Sequence, residues 1–295
     1  MRVTPLRCAT VACLGLLVHG CGGDAPSSGT RVLAFTAVPD QNTTELQEKF
    51  QPLVAFLSRR LGVPVEYVPV RDYQASVELF KNADVMLAWF GGLTGAQARQ
   101  AVPGARAIAQ GETDPRYFSY FIAHADTGLQ RSDEFPRDIG GLSFTFGSRS
   151  STSGRLMPEY FIRQSTGLSP EEFFGRTVGF SGSHDKTAEL VESGRYEAGV
   201  LNYKVYDRRV AEGKTDPDVA RVIWKTPAFA DYSWTAHPRL EGTFGDGFVS
   251  RLQATLVSID DPALLSALPR VRLIEASNED FESIRQVAVE LGMLR

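Results

Sequence analysis

The residues Gly147-Ser148-Arg149-Ser150-Ser151-Thr152-Ser153-Gly154 follow an apolar run and precede a helix-compatible run, Arg155–Thr166. A strand-to-helix turn of this kind aims free backbone N–H groups at one spot, and the helix dipole adds a positive partial charge there. Consecutive hydroxyl residues from Ser150 to Ser153 exceed what one N-cap needs and supply further donors, so an oxyanion suits the turn. A solvated Ser/Thr loop that merely caps the helix is the other reading, and the residues alone leave both open. The stretch is not a P-loop, since it lacks Gly-Lys-Ser/Thr.

A second small-residue turn, Gly179-Phe180-Ser181-Gly182-Ser183-His184-Asp185-Lys186-Thr187, sets His184 at the start of a helical run. There it is either a surface cap or a donor to an anion that would in turn stabilise its protonated form. A third stretch, Asp84-Val85-Met86-Leu87-Ala88-Trp89-Phe90-Gly91-Gly92, reads as a buried strand ending in two aromatics and two glycines. The glycines permit either a close approach to a ligand or a tight turn. Metal binding is disfavoured because His124, His184 and His237 are far apart in sequence, and past Cys21 the chain has no thiol for a zinc site, a disulfide or a cysteine nucleophile. No cofactor is expected.

The elements that must position these groups alternate in type. Val32–Val38, Val65–Val70, Val85–Phe90, Phe118–Ala123, Leu142–Phe146, Ala198–Leu201 and Val219–Trp224 read as strands, with a short further one at Val271–Ile274. Helical periods cover Thr44–Leu61, Tyr73–Lys81, Gly92–Ala101, Arg155–Thr166, Thr187–Ser193 and Val205–Glu212, and three more close the chain at Asp246–Leu256, Pro262–Leu268 and Asn278–Leu291. Ser169-Pro170-Glu171-Glu172 has the order of another helix start. Alternation of this kind predicts an α/β fold with parallel-type sheets. Two aromatic segments, Tyr117–His124 and Trp224–Trp234, suggest crossings between a discontinuous first lobe, 31–122 plus 233–295, and an inserted second lobe, 123–232, with a ligand between them.

At 295 residues, 43% hydrophobic and 22% charged, the composition excludes a disordered or polytopic membrane chain. The formal charge of −4 argues against binding nucleic acid through bulk electrostatics. Residues 1–20 carry Arg2 and Arg7 and then an apolar stretch, Cys8–Val18, too short for a permanent membrane span and patterned as an export signal. Val18-His19-Gly20-Cys21 resembles a bacterial lipoprotein processing site, which implies Cys21 as a lipid anchor and 21–30 as a tether.

Arg71-Asp72-Tyr73, Asp84–Gly91, Tyr117-Phe118-Ser119, Ser151–Gly154 followed by Pro158, Gly182–His184 and Val222-Ile223-Trp224-Lys225-Thr226-Pro227 together resemble the periplasmic phosphonate-binding proteins of ABC importers and their phosphate- and phosphite-binding relatives. That resemblance implies the two-lobed, hinged periplasmic binding protein fold (type II) with the ligand in the cleft. It also implies a monomer that does no chemistry and hands a small oxyanion to a membrane ABC permease. The site residues it implies are Tyr73, Tyr117, Ser151, Thr152, Ser153 and His184. A weaker likeness, which includes Pro39–Thr44, is to a branch of the family named for selenate binding.

Two further positions bear on specificity. Lys204 stands about where the aminoalkylphosphonate binders place a glutamate, with Asn202 or Tyr203 as the lining residue if the alignment slips, and Asp231 is a counterpart of the family's aspartate. Lys204 in the pocket without Asp231 would favour a fully deprotonated dianion such as selenate, whereas Asp231 in the pocket would favour an anion that bears a proton. The lysine inclines the reading to the first case. Two other functions share these residues: a periplasmic sensor that docks on a membrane histidine kinase, and a hydrolase using a serine of 150–153 with His184.

Overall fold

The computed structural model describes Met1 and residues 31–295. The segments expected to be an export signal and a tether, with Cys21, lie outside the described residues. Among those described, no helix is long and apolar enough to cross a membrane.

Among the described residues, eleven strands form two sheets. The first contains β1 (Leu33–Ala37), β2 (Val65–Tyr67), β3 (Leu87–Phe90) and β4 (Arg106–Gly111). The second contains β5 (Ser119–His124), β6 (Phe144–Phe146), β7 (Gly179–Phe180), β8 (Ala198–Asn202) and β9 (Ala220–Lys225). The chain then returns to the first sheet with β10 (Ser233–Ala236) and β11 (Leu273–Glu275). The sheet orders are β11-β4-β10-β3-β1-β2 and β7-β6-β8-β5-β9. Counted from β2 and from β7, each parallel set is interrupted at the fourth place by an antiparallel strand, and the first sheet has a second one, β11, at its far edge. The strand at the fourth place is the first one laid down after the chain changes sheet: β5 on the way out and β10 on the way back.

The sheets define the two lobes. β5 pairs only within the second sheet, so the chain changes sheet between Gly111 and Ser119, not at 122/123 as the aromatic segments suggested. The return lies between Lys225 and Ser233. The crossing segments pair with each other, Tyr117 and Phe229 exchanging two backbone hydrogen bonds of 2.8 Å. The aromatic residues of the crossings pack inward, Tyr117, Phe229 and Tyr232 being buried, while Pro115, Arg116, Pro227 and Ala228 are exposed.

Local signals fix most helices. Tyr73–Lys81 starts at Asp72, whose carboxylate accepts from Ala75 N at 2.8 Å, and Pro170–Phe174 starts with a capping box between Ser169 and Glu172. The sequence reading missed three strands. β4 is rich in alanine and β10 was read as a crossing; both became central strands because neighbours on each side satisfy their backbone groups. β7 is two residues long and too short to show a period. One core surrounds the first sheet, centred on Phe35, Phe50 and Trp234, and two smaller clusters flank the second, one around Phe121, Phe144 and Phe174 and one around Ile122, Val191 and Leu201.

Candidate functional site

Turns after the C-terminal ends of the parallel strands are where an open α/β sheet gathers ligand groups. Here Asp40 follows β1, Tyr73 follows β2 and Gly91 follows β3. From the second lobe come the Ser151–Gly154 turn after β6, His184 after β7 and Asn202 at the end of β8.

The Ser/Thr turn has an unusual helix entry. Ser151 Oγ accepts from Gly154 N at 2.9 Å, and Thr152–Leu156 make one wide π turn, with Leu156 N donating to Ser151 O at 3.0 Å, before the α-helix Met157–Thr166 begins. The widened turn leaves room beside the backbone, a common use of π-bulges at functional sites. Ser119 Oγ braces it from β5 by donating to Ser153 O at 2.7 Å. Thr152 Oγ1 accepts from Leu93 N at 2.9 Å, and Asp231 Oδ1 accepts from Gly92 N at 3.0 Å. The first N–H groups of the helix Gly92–Ala101 are therefore spent within the protein, one on the return crossing and one on the second lobe. A Cβ on Gly91 would stand 3.1 Å from both Asp231 Oδ1 and Thr152 Oγ1, which answers what that glycine is for: close approach to Asp231 and Thr152, not to a ligand.

Buried around this turn are five polar atoms without a partner: Tyr73 OH, Tyr117 OH, Ser153 Oγ, His184 Nε2 and Asp231 Oδ2. Buried polar groups are normally paired, so such a cluster needs a guest. The cluster is continuous. Thr152 and Ser153 flank the Asp231 carboxyl, Ser151 adjoins the Tyr73 hydroxyl, and Gly154 brings the turn against the His184 ring. Tyr73 also lines the cleft between the lobes, a space of about 670 Å³ bordered by Gln41, Arg71, Ser150, Gly182 and Lys186.

The proton inventory is specific. His184 Nδ1 accepts from Asn202 N at 3.3 Å, so its proton sits on Nε2, which points at no protein acceptor. Burial lowers its pKa to about 3, so His184 is a neutral donor, contrary to the expectation of a charged one. Burial pushes Asp231 the other way, up to about 7, while Gly92 N–H and the flanking hydroxyls hold it down in part. The five atoms thus offer four neutral donors and one carboxyl able to accept a proton near neutrality.

Lys204 stands apart from this cluster. It is half-buried in the first turn of the helix Tyr203–Ala211, its ammonium lies 5.1 Å from the Tyr203 ring centroid, and the charges acting on it are Arg270, Asp114, Asp207 and Glu112. The acid, not the lysine, is with the hydroxyls. The inclination toward a dianion is corrected accordingly, and of the slipped alternatives Asn202 comes nearer, its backbone fixing His184 and its side chain donating to Tyr232 OH at 3.2 Å.

Four residues escaped the sequence reading as site residues, in two pairs. Asp40 accepts from Tyr232 OH at 3.0 Å, and burial raises its pKa to about 6. Asp114 and Arg270 form the second pair, a buried ion pair. Asp40 lies in the Pro39–Thr44 stretch and Tyr232 next to Asp231, but neither type nor spacing marks them out.

The lobes also meet outside the cluster. His184 N donates to Asp40 O at 3.1 Å, Asn42 N donates to Asp185 Oδ2 at 3.0 Å, and Arg208 joins Asp185 at 3.0 Å while reaching Gln41 Oε1. Every one of these ties loop Asp40–Asn42 of the first lobe to the second. Arg208→Ala is expected to loosen closure: ligand should contract the variant less than wild type in small-angle scattering and bind about tenfold more weakly. Equal contraction and affinity would show that Arg208 does not hold the closed form.

The hydroxyls can be ranked. Ser151 is committed as a cap, whereas Ser153 Oγ has only the Asp231 carboxyl beside it, so Ser153→Ala should weaken oxyanion binding about tenfold, on the order of one charge-assisted hydrogen bond. Ser151→Ala should cost stability as well as affinity. Ser169→Ala, which removes only the cap of Pro170–Phe174, should lower the melting temperature and leave calorimetric affinity unchanged.

Two α/β lobes of the same strand order, joined by paired crossings and enclosing unpartnered polar groups, define a two-lobed solute-binding protein. More narrowly, the chain belongs to the family of periplasmic substrate-binding proteins of phosphonate ABC transporters, whose model matches residues 35–281. It is 37% identical over 275 residues, 91% of this chain and 92% of the other, to the probable ABC transporter phosphite-binding protein PhnD1 of Prochlorococcus marinus (strain MIT 9301). To the phosphate-import protein PhnD of Mycolicibacterium smegmatis it is 27% identical over 248 residues, 78% of this chain and 75% of that one. The structure of Prochlorococcus PhnD1 in complex with methylphosphonate matches with a TM-score of 0.84 at 36% identity, covering 90% of this chain and 99% of that one. These are binding components of transporters, and the chain is a binding protein, not an enzyme.

Proposed function

We propose that this protein captures a small tetrahedral oxyanion that retains one proton, of the phosphonate, phosphite or phosphate class, and delivers it to the membrane permease of an ABC importer. The observation that carries this reading is the set of five unpartnered atoms, four donors and the Asp231 carboxyl. A singly protonated phosphonate has a matching inventory. Its unprotonated oxygens accept from Tyr73, Tyr117, Ser153 and His184, and its P–OH donates to Asp231. Sulfate and selenate carry no proton at pH 7 and would present a second negative oxygen to the carboxylate. The relatives' names, a phosphite binder and a structure holding methylphosphonate, agree with this class. Cys21 as a lipid anchor, the tether 21–30 and a monomeric state complete the proposal: all five groups come from one chain, and the tether keeps the receptor near its permease.

Titration calorimetry at pH 7 with methylphosphonate, phosphite, phosphate, sulfate and selenate tests it. The first three are expected to include the tightest ligand, with sulfate and selenate at least about 100-fold weaker. Selenate binding as well as methylphosphonate would overturn the requirement for a proton, and no binding by any of the five would overturn the oxyanion site.

A further inference from the structure

Arg270 is a buried cation enclosed by aromatic faces. Its guanidinium carbon lies 5.6 Å from the Trp89 ring centroid, 5.2 Å from Tyr117 and 5.1 Å from Tyr232. Trp89 and Tyr232 stack with their planes 15° apart. Asp114, fully buried, completes the enclosure by accepting Arg270 Nε at 2.8 and 3.0 Å and Nη2 at 2.5 Å. Several ring faces and one carboxylate are what recognition of an ammonium group uses, because the ring quadrupoles and the anion replace the water a cation gives up. In this protein the cation is built in.

This cage adjoins the oxyanion cluster at two points. Tyr117 turns one face to Arg270 and contributes its hydroxyl to the unpartnered set. Asp231, whose carboxyl is the cluster's acceptor, donates its backbone N–H to Asp114 O at 3.1 Å. A substituent on a bound oxyanion that extended past Tyr117 would therefore meet the guanidinium. An ammonium there would meet a like charge whose carboxylate partner already accepts from Arg270 Nε and Nη2 and from Gly111 N.

Resting on the reading of the cluster as an oxyanion site, we propose that Arg270, held by Asp114, is a specificity-determining residue: it fills the aromatic cage beside the ligand with the protein's own cation and so excludes oxyanions that carry an ammonium group. Lys204 adds to the same field from the second lobe, since Arg270 and Asp114 are among the charges acting on it.

The test is calorimetry with methylphosphonate, ethylphosphonate and 2-aminoethylphosphonate on wild type, Arg270→Gln and the double variant Arg270→Gln with Asp114→Asn. Wild type is expected to prefer ethylphosphonate over its amino analogue by at least about 30-fold, the two having chains of equal length. In Arg270→Gln, Asp114 is released to accept the ammonium, and that ratio should narrow by at least about tenfold. The double variant, which restores neutrality, should fall between the two.

Equal wild-type affinity for the two-carbon ligands, or a folded Arg270→Gln with the wild-type ratio, overturns the proposal. If Arg270→Gln does not fold because Asp114 is left buried and unpaired, the double variant decides, and an unchanged ratio there is equally fatal. Wild type that binds methylphosphonate but neither two-carbon ligand would assign exclusion to volume and overturn the role of charge. Wild type that binds no methylphosphonate would instead overturn the oxyanion site itself.

Discussion

Asp231→Asn is expected to weaken methylphosphonate binding by about 100-fold at pH 7, the usual scale for removing one partner of a buried charge-assisted hydrogen bond. The same substitution should raise the melting temperature of the ligand-free protein at pH 8 by about 5 °C. Both follow from the carboxyl's burial, which lifts its pKa from 3.8 to about 7. An acid whose pKa is raised by folding binds its proton more tightly in the native state, so it costs stability as pH climbs above the unfolded value, and the cost is complete above the folded one. The asparagine variant lacks that cost. Its thermal advantage should vanish below about pH 4 and be greatest above pH 7.

Binding should show the complementary dependence. The complex holds one proton between Asp231 and the ligand, so wild-type affinity should fall about tenfold per pH unit once both are deprotonated. In Asp231→Asn the slope should flatten, and sulfate or selenate should gain relative to methylphosphonate, because an amide can donate where the carboxylate repelled. A series of calorimetric titrations from pH 6 to 9 reads all of this. Wild-type affinity and slope in the variant would remove Asp231 from the site.

Gly154→Ala should be nearly as damaging, at about 30-fold in affinity, although alanine suits the backbone there. Gly154 is not among the residues with positive φ, so the turn can form with a side chain present. The obstacle is space: a Cβ would lie 3.0 Å from His184 Cε1, 3.0 Å from Ser151 Oγ and 3.2 Å from Gly147 Cα. Gly147 N donates to Gly154 O at 2.8 Å and pins the turn, so the His184 ring must give way. A displacement of a few tenths of an ångström moves Nε2 away from the position its hydrogen bond requires. Nitrogen NMR should show His184 as the Nε2–H tautomer in wild type and a perturbed ring in the variant. An unshifted ring with full affinity would mean that the turn relaxes elsewhere and that Gly154 is not needed for the approach.

Much of this protein is written locally. Asp72 before Tyr73–Lys81 and Ser169 before Pro170–Phe174 stand at helix starts that agree with the structure, because a cap is an interaction among residues three or four apart. The Ser151–Gly154 turn stands out for the same reason: hydroxyls, glycine and helix entry are consecutive, although the residues alone leave an oxyanion site and a capped, solvated loop both open. The α/β class followed from the alternation of periods, and the two lobes were expected from the aromatic segments and the family resemblance.

The rest was decided by packing between segments far apart in the chain. Alanine-rich Arg106–Gly111 is a strand because β10 and β11 pair with it, and Ser233–Ala236 is a central strand because β3 and β4 flank it. Lys204 and Asp231 looked alike as candidates for the pocket. Only the return of the chain through the second crossing set Asp231 against Gly92 and Ser153 and left Lys204 over Tyr203. Whether His184 is charged, which of its nitrogens carries the proton and whether Asp231 can accept one depend on desolvation and on partners such as Asn202, 18 residues away, and Gly92, 139 residues away. Residue types set what protons a site can hold. Where those protons reside is set by burial, and burial belongs to the assembled fold.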